Sequence, residues 1–184
     1  MPTLPDRRAV LRVGLATAIP AAAMVAGVAG PAEASTSAEA RTPALREQDV
    51  TRWMAAYLKA WQTKDADAVV KLFTPDALYE SVPGVADQTF NGHDQIHDYW
   101  TGVTAPQAGM SGRYGTPLVS GDRADIEIWV TMQVPSDTDG TMGWVTLIET
   151  NVLKFATPTL CSRNIEYSRI LTGKIDPPAG WGRR

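Results

Sequence analysis

"RADIEIWVTMQV", residues 123–134, alternates Ala124, Ile126, Ile128, Val130, Met132 and Val134 with Asp125, Glu127, Trp129, Thr131 and Gln133. Successive side chains of a strand point to opposite faces, so this pattern predicts a long half-buried strand with an apolar inner face. Gly121-Asp122 before it and Asp139-Gly140 beyond it are hairpin signals, and they predict antiparallel neighbours, with further strands over about 142–156 and 161–171. Upstream the period changes. Val50, Trp53, Met54, Tyr57, Leu58 and Trp61 fall at helical spacing, with Asp49 as a candidate cap. A shorter helix is predicted from about Asp65 to Phe73, capped by Asp65, turning Val69, Val70, Leu72 and Phe73 inward and stopped at Pro75. "ALYESV" reads as a strand, and "NGHDQIHDYW" as a third helix with Ile96, Tyr99 and Trp100 on one side. Helices first and a curled sheet afterwards define the α+β class, with the helices packed on one face of the sheet.

The 184 residues, 44% of them hydrophobic, are enough for one globular domain with a single core. Formal net charge is -3, and no Lys/Arg cluster occurs outside the extreme N-terminus, which argues against a nucleic-acid surface. Glycine-rich phosphate loops, a nucleophile elbow and zinc-type cysteine clusters are absent, so cofactor-free chemistry is expected. His93 and His97 stand one helical turn apart, a spacing that can hold a metal, but no third ligand is evident and none is expected.

Residues 1–34 read as an export signal. Arg7 and Arg8 precede an apolar, Ala-rich run from Val13 to Gly30, followed by Pro31 and the small-residue pattern Ala32-Glu33-Ala34. The paired arginines resemble a twin-arginine signal, which implies export after folding and no stable membrane insertion once the segment is removed. An uncleaved anchor is the alternative. Cleavage would leave 14 basic against 18 acidic side chains, and the single Cys161 forbids an internal disulfide. Residues 35–44 read as a linker, 45–172 as the domain and 173–184 as an irregular tail in which Trp181 can dock on the body.

The functional signal lies in "LIETNVLKF", residues 147–155. Strand parity puts Leu147, Glu149, Asn151, Leu153 and Phe155 on one face, so a carboxylate and an amide interrupt an apolar stripe. Such groups survive burial only with partners or in a wet pocket. Glu166 in "NIEYS" is a second candidate if Asn164, Glu166 and Ser168 face inward, although Cys161, Arg163, Ile165 and Tyr167 are an equally allowed inner set. Two carboxyls in unlike environments can divide acid and base roles. The competing reading makes Glu149 structural, bonded to Arg163, to a backbone amide or to a partner subunit. Glu80, opposite in parity to Tyr79 and Ser81, is placed outside the pocket.

"FTPDALYESVPG", "NGHDQIHDYW", "NVLKF" and "CSRNIEY" together resemble the nuclear transport factor 2-like superfamily, in its SnoaL-like and ketosteroid-isomerase-like branch, over roughly residues 47–170. The resemblance implies a cone: a strongly curved, mixed or antiparallel sheet wrapped around three N-terminal helices and enclosing a deep apolar pocket. It places Tyr57 and Asn151 where the isomerases have their two oxyanion donors, and Ser81 where they have the proton-moving aspartate. A serine is too weak a base for that role, so Glu149 or Glu166 would replace it. Tyr79, Ser81, Trp100, His97, Ile126 and Ile128 are expected to wall the pocket. The resemblance also implies a homodimer, for which an exposed Trp129 on the outer sheet face would be a contact. Two functions are consistent with these residues: an acid–base cyclase, isomerase, dehydratase or hydrolase acting on a small hydrophobic molecule, or a dimeric module of the same fold that holds an apolar ligand or a protein partner without chemistry.

Overall fold

A computed structural model of the chain describes residues 44–182. The export signal and nearly all of the linker lie outside the described residues. The elements run α1 (Glu47–Thr63), α2 (Ala66–Val70), β1 (Phe73–Glu80), β2 (Thr89–Asn91), α3 (Gly92–Thr104), β3 (Ala108–Tyr114), β4 (Leu118–Ser120), β5 (Arg123–Pro135), β6 (Met142–Thr157) and β7 (Leu160–Thr172). They form a curved, unclosed sheet in the order β2-β1-β7-β6-β5-β3, with β4 also pairing β5. Only β1 and β7 run parallel; every other pair is antiparallel. The helices are packed against the concave side, which makes the fold α+β and mixed-sheet as the sequence predicts.

The apolar stripe of α1 supplies the centre of the core, with Val50, Trp53, Met54, Tyr57, Leu58 and Trp61 all buried. Its start is fixed by Asp49, which acts three residues inside the helix rather than as the cap. There it accepts the Arg46 backbone N–H at 3.1 Å and pairs with the Arg46 and Arg52 guanidinia. Asp65 caps α2 as expected, accepting Ala68 N–H at 2.8 Å. That helix, however, ends at Val70, and Phe73 already opens β1. Pro75 lies inside the strand, where the β1–β7 register shifts between Phe73 and Leu78, so its missing N–H falls in a gap of the ladder. Gly92, which opens α3, has φ +75°, and a Cβ there would meet the Pro75 carbonyl at 3.0 Å, so glycine is required.

The six alternating apolar residues of β5 are all buried, and so are Leu147, Glu149, Asn151, Leu153 and Phe155 of β6. Gly121 (φ +63°) and Gly140 (φ +71°) make the two turns that flank β5. Beyond β7 the tail crosses the outer face of the sheet. Trp181 packs edge-on against Trp129 at 6.0 Å, Thr116 Oγ1 donates to the Gly182 carbonyl at 2.9 Å, and Ile175 N–H donates to Thr146 Oγ1 at 2.8 Å. Trp129 is therefore covered by its own chain, and its indole offers no argument for a second subunit. Among the described residues, no helix is long and apolar enough to cross a membrane.

Candidate functional site

Between the concave sheet face and helices α1 and α3 lies a hollow that opens to solvent, about 530 Å³ with its open mouth counted. Its wall is largely aromatic and aliphatic: Trp61 comes from α1, Tyr99 and Trp100 from α3, Tyr79 from β1, Met132 from β5 and Leu147 from β6. Glu149 and Glu166 are the only charged residues in that wall, and it contains no Lys, Arg or His.

The β6–β7 register sets the polar centre, because it places Asn151 opposite Glu166 and Glu149 opposite Ser168. One oxygen of Glu166, Oε1, accepts from four side chains: Tyr57 Oη at 2.7 Å, Tyr79 Oη at 2.5 Å, Asn164 Nδ2 at 3.0 Å and Asn151 Nδ2 at 3.3 Å. The two tyrosine hydroxyls lie 3.0 Å apart. All four donors converge on this one oxygen of the carboxyl. Burial pushes the Glu166 carboxyl up to about 7 against the opposing pull of these four donors. All four are neutral, and burial together with the Glu166 charge holds both tyrosines well above the usual phenol range, so they remain donors.

Glu149 is raised well above the carboxylate range, first by burial and then by the charge of Glu166. Its Oε1 is buried without a partner, and so is Oδ1 of the neighbouring Asn151. The Asn151 amide is oriented by its nitrogen, which donates to Asn164 Oδ1 at 3.2 Å and to Glu166. Its oxygen is thus left, like Glu149 Oε1, without a donor. The site accordingly holds two buried carboxyls that burial raises, Glu166 to about 7 and Glu149 well above the ordinary carboxylate range.

The sequence-predicted residues are distributed unevenly about this centre. Glu149, Glu166, Tyr79, Ser81 and Trp100 line the cavity. Tyr57 and Asn151 meet there too, but their protons point at Glu166, so they fasten a carboxylate instead of forming a free oxyanion hole. His97 is not in the wall: α3 turns Ile96 and Trp100 inward, and His97 faces α2, 3.4 Å from Asp67, with 40% of its side chain exposed. Ile126 and Ile128 are buried in the core. The β5 residue that reaches the cavity is Met132, further along the same face, because the hollow lies toward that end of the strand.

The parity of β7 is settled by register shifts of the β6–β7 ladder between Lys154 and Phe155 and between Phe155 and Thr157. They let Cys161 and then Asn164, Glu166 and Ser168 all face inward. Arg163 faces outward and bonds Glu80 at 2.7 Å, which removes it as a partner for Glu149. Sequence reasoning gave Tyr79 only a wall position and Asn164 no role, yet both bind Glu166. Tyr79 shares the parity of Ser81, and Asn164 that of Glu166, so parity was the signal for both. Gln107, which accepts the Trp61 indole N–H at 2.7 Å, sits between elements where no periodic pattern marks it.

A family model described as SnoaL-like domain matches residues 54–155. In structure the chain is similar to the epoxide hydrolase/cyclase-like enzyme SalBIII in pyran ring formation in polyether salinomycin, with 17% identity, TM-score 0.57, and coverage of 69% of this chain and 98% of that one. It is similar also to an LEH-like epoxide hydrolase of M. tuberculosis, with 15% identity, TM-score 0.53, and coverage of 67% and 84%. A ketosteroid isomerase-like protein from Erwinia carotovora atroseptica SCRI1043 gives 17% identity, TM-score 0.53, and coverage of 66% and 95%. At these identities the likeness establishes the fold. No curated protein matches the chain.

Proposed function

This chain belongs to the SnoaL-like domain family of the nuclear transport factor 2-like superfamily, and from that premise we propose that it is a cofactor-free acid–base enzyme of the cyclase, isomerase, dehydratase or hydrolase kind, acting on a small hydrophobic molecule. The observation that carries this reading is the meeting of two buried carboxyls, Glu149 and Glu166, in the wall of one largely aromatic and aliphatic cavity that contains no cation. Glu166 Oε2 takes a proton from substrate carbon, hydroxyl or water. Glu149 gives its proton to the oxygen on which charge develops, the division of labour expected when environments push two pKa values apart. Tyr57, Tyr79, Asn151 and Asn164 hold the base in place and tune it. Neighbours named for epoxide opening, ring closure and isomerisation fit this class.

The rival reading is a binding module of the same fold. One observation favours it, namely that four donors on Glu166 Oε1 would also satisfy a purely structural carboxylate. The two are separated by incubating residues 35–184 with small ketones in D2O, to follow exchange next to the carbonyl, and with small epoxides, to follow ring opening. Turnover that falls at least about 100-fold in Glu166→Gln supports catalysis. Activity within about threefold of the parent in Glu149→Gln removes Glu149 from the mechanism. No turnover with any member of either set, together with a small molecule found by mass spectrometry to co-purify, supports binding alone. Export through residues 1–34 belongs to the same proposal, tested by N-terminal sequencing of secreted protein. Homodimerisation is proposed from family resemblance only.

A further inference from the structure

Gln107 follows α3, and its side-chain amide is committed at one end only. The Trp61 indole can act only as a donor, so its 2.7 Å bond to Gln107 fixes Oε1 against Trp61 and leaves Nε2 as the other end. Among the described residues Nε2 finds no acceptor. Nor is it closed off. The other unpartnered atoms in the wall, Trp100 Nε1 and Glu149 Oε1, are sealed from solvent, whereas Gln107 Nε2 stays open to it, although the whole residue is only 5% exposed. The hollow is the open space that Gln107 borders, next to Trp61. Neighbouring donors in the wall are already engaged, Tyr79 with Glu166 at 2.5 Å and Ser81 with Gln88 Oε1 at 3.1 Å. The register then sets the amide's place. Ala108, next along the chain, pairs with Gln133, whereas Glu149 pairs with Ile128, so the amide and the carboxyls stand toward different ends of the hollow. With two carboxyls and no cation in the wall, an anionic ligand group is disfavoured.

Resting on the reading of this cavity as a ligand site, we propose that the Gln107 side-chain amide is a specificity-determining donor that binds a neutral acceptor oxygen, of carbonyl or ether type, remote from the reacting centre of an otherwise apolar ligand. Trp61 is its positioning residue. By holding Oε1, the indole denies the amide the flipped orientation, which would present an oxygen to the ligand instead. Binding energy collected at this far end orients the ligand against Glu149 and Glu166 and selects against hydrocarbons of the same shape.

The test titrates protein comprising residues 35–184 with indanone and with indane, which match in shape and differ by one carbonyl oxygen. It follows the assigned Gln107 side-chain amide signals in a proton–nitrogen correlation spectrum. Indanone should move an Nε2 proton downfield, and indane should not. Gln107→Met, of similar length, should weaken indanone binding about 3- to 10-fold, the worth of one neutral hydrogen bond, and leave indane within twofold. Trp61→Phe should narrow the ratio of the two affinities, which a merely structural role for the indole would leave alone. Indanone that binds without moving the Gln107 amide overturns the proposal and leaves the ligand-site reading standing, and an unchanged ratio in Gln107→Met does the same. The wild-type titration decides even if a variant fails to fold. Because it reads binding alone, a downfield shift combined with unimpaired turnover in Glu166→Gln would sink the catalytic reading and leave this one intact.

Discussion

Glu80 and Glu166 are both largely withdrawn from water, at 8% and 6% exposure, and they stand on neighbouring strands β1 and β7. Their chemistry is opposite. Glu80 faces outward, where the half-exposed Arg163 guanidinium donates to it at 2.7 Å and Gly84 N–H adds a weaker bond, and the Arg163 hydrogen bond holds its carboxyl below the usual range. Glu166 faces inward, meets four donors without any formal charge, and is pushed up to about 7 by burial. Four neutral side-chain donors do not offset the burial penalty on Glu166, whereas the Arg163 guanidinium outweighs it on Glu80. The inner face has no such cation, and its carboxyls are raised by burial. The outer face keeps one, and its carboxyl is lowered.

The largest test of this contrast is pH. Between its ordinary value of 4.5 and about 7, Glu166 is protonated in the folded chain and ionised in the unfolded one, so stability falls as pH rises through that window. Glu166→Gln keeps an oxygen for the four donors and should flatten the slope, changing the difference between pH 4.5 and pH 8 by on the order of 3 kcal/mol in urea denaturation. An unchanged slope would break the comparison at its centre. Arg163→Met should destabilise by about 1 kcal/mol at pH 7. For Glu80 the sign reverses: its contribution is present above 4.5 and disappears as pH falls through its lowered value, so parent and variant should converge in acid. Trp181→Ala uncovers Trp129 on the outer face and should cost up to about 1 kcal/mol, with a red shift of tryptophan emission and no change in the carboxyl titrations. The smallest effect is expected for Glu149→Gln. Its amide keeps the side chain's shape and brings a donor near the unpartnered Asn151 Oδ1, so stability should change by less than about 0.5 kcal/mol. The protonated-carboxyl infrared band assigned to Glu149 at pH 7 should vanish, and persistence of that band would place the proton elsewhere.

Much of the fold was legible because strand parity and helical spacing are local. The six inward residues of β5, the α1 stripe and the turns at Gly121 and Gly140 were all readable in order along the chain. Strands β2, β3 and β4 were not, since "TFN" and "LVS" are too short for a period and "AGMSGRY" carries two glycines in place of alternating apolar residues. The end of α2 was misjudged because an apolar Phe73 suits a helix or a strand equally, and Pro75 marks a ladder gap as readily as a helix stop. In the site, Glu149 and Asn151 declared themselves by interrupting an apolar stripe. The role of Asn151 did not, because an amide's two ends are chemically distinct and only its neighbours decide which way it points.

Sequence by itself determined which side chains share a face, since the backbone period leaves no choice once a strand forms. It thereby put Glu149 and Asn151 on one face with Leu147, Leu153 and Phe155. The tertiary structure alone decided which donors meet each carboxyl. That choice depends on donors brought together from α1, β1, β6 and β7, as much as 109 residues apart in the Tyr57–Glu166 pair, and on a pair of register shifts after Lys154 that swing Glu166 inward and send Arg163 out to Glu80. Protonation follows the summed field of such neighbours, and no local pattern along the chain encodes that sum.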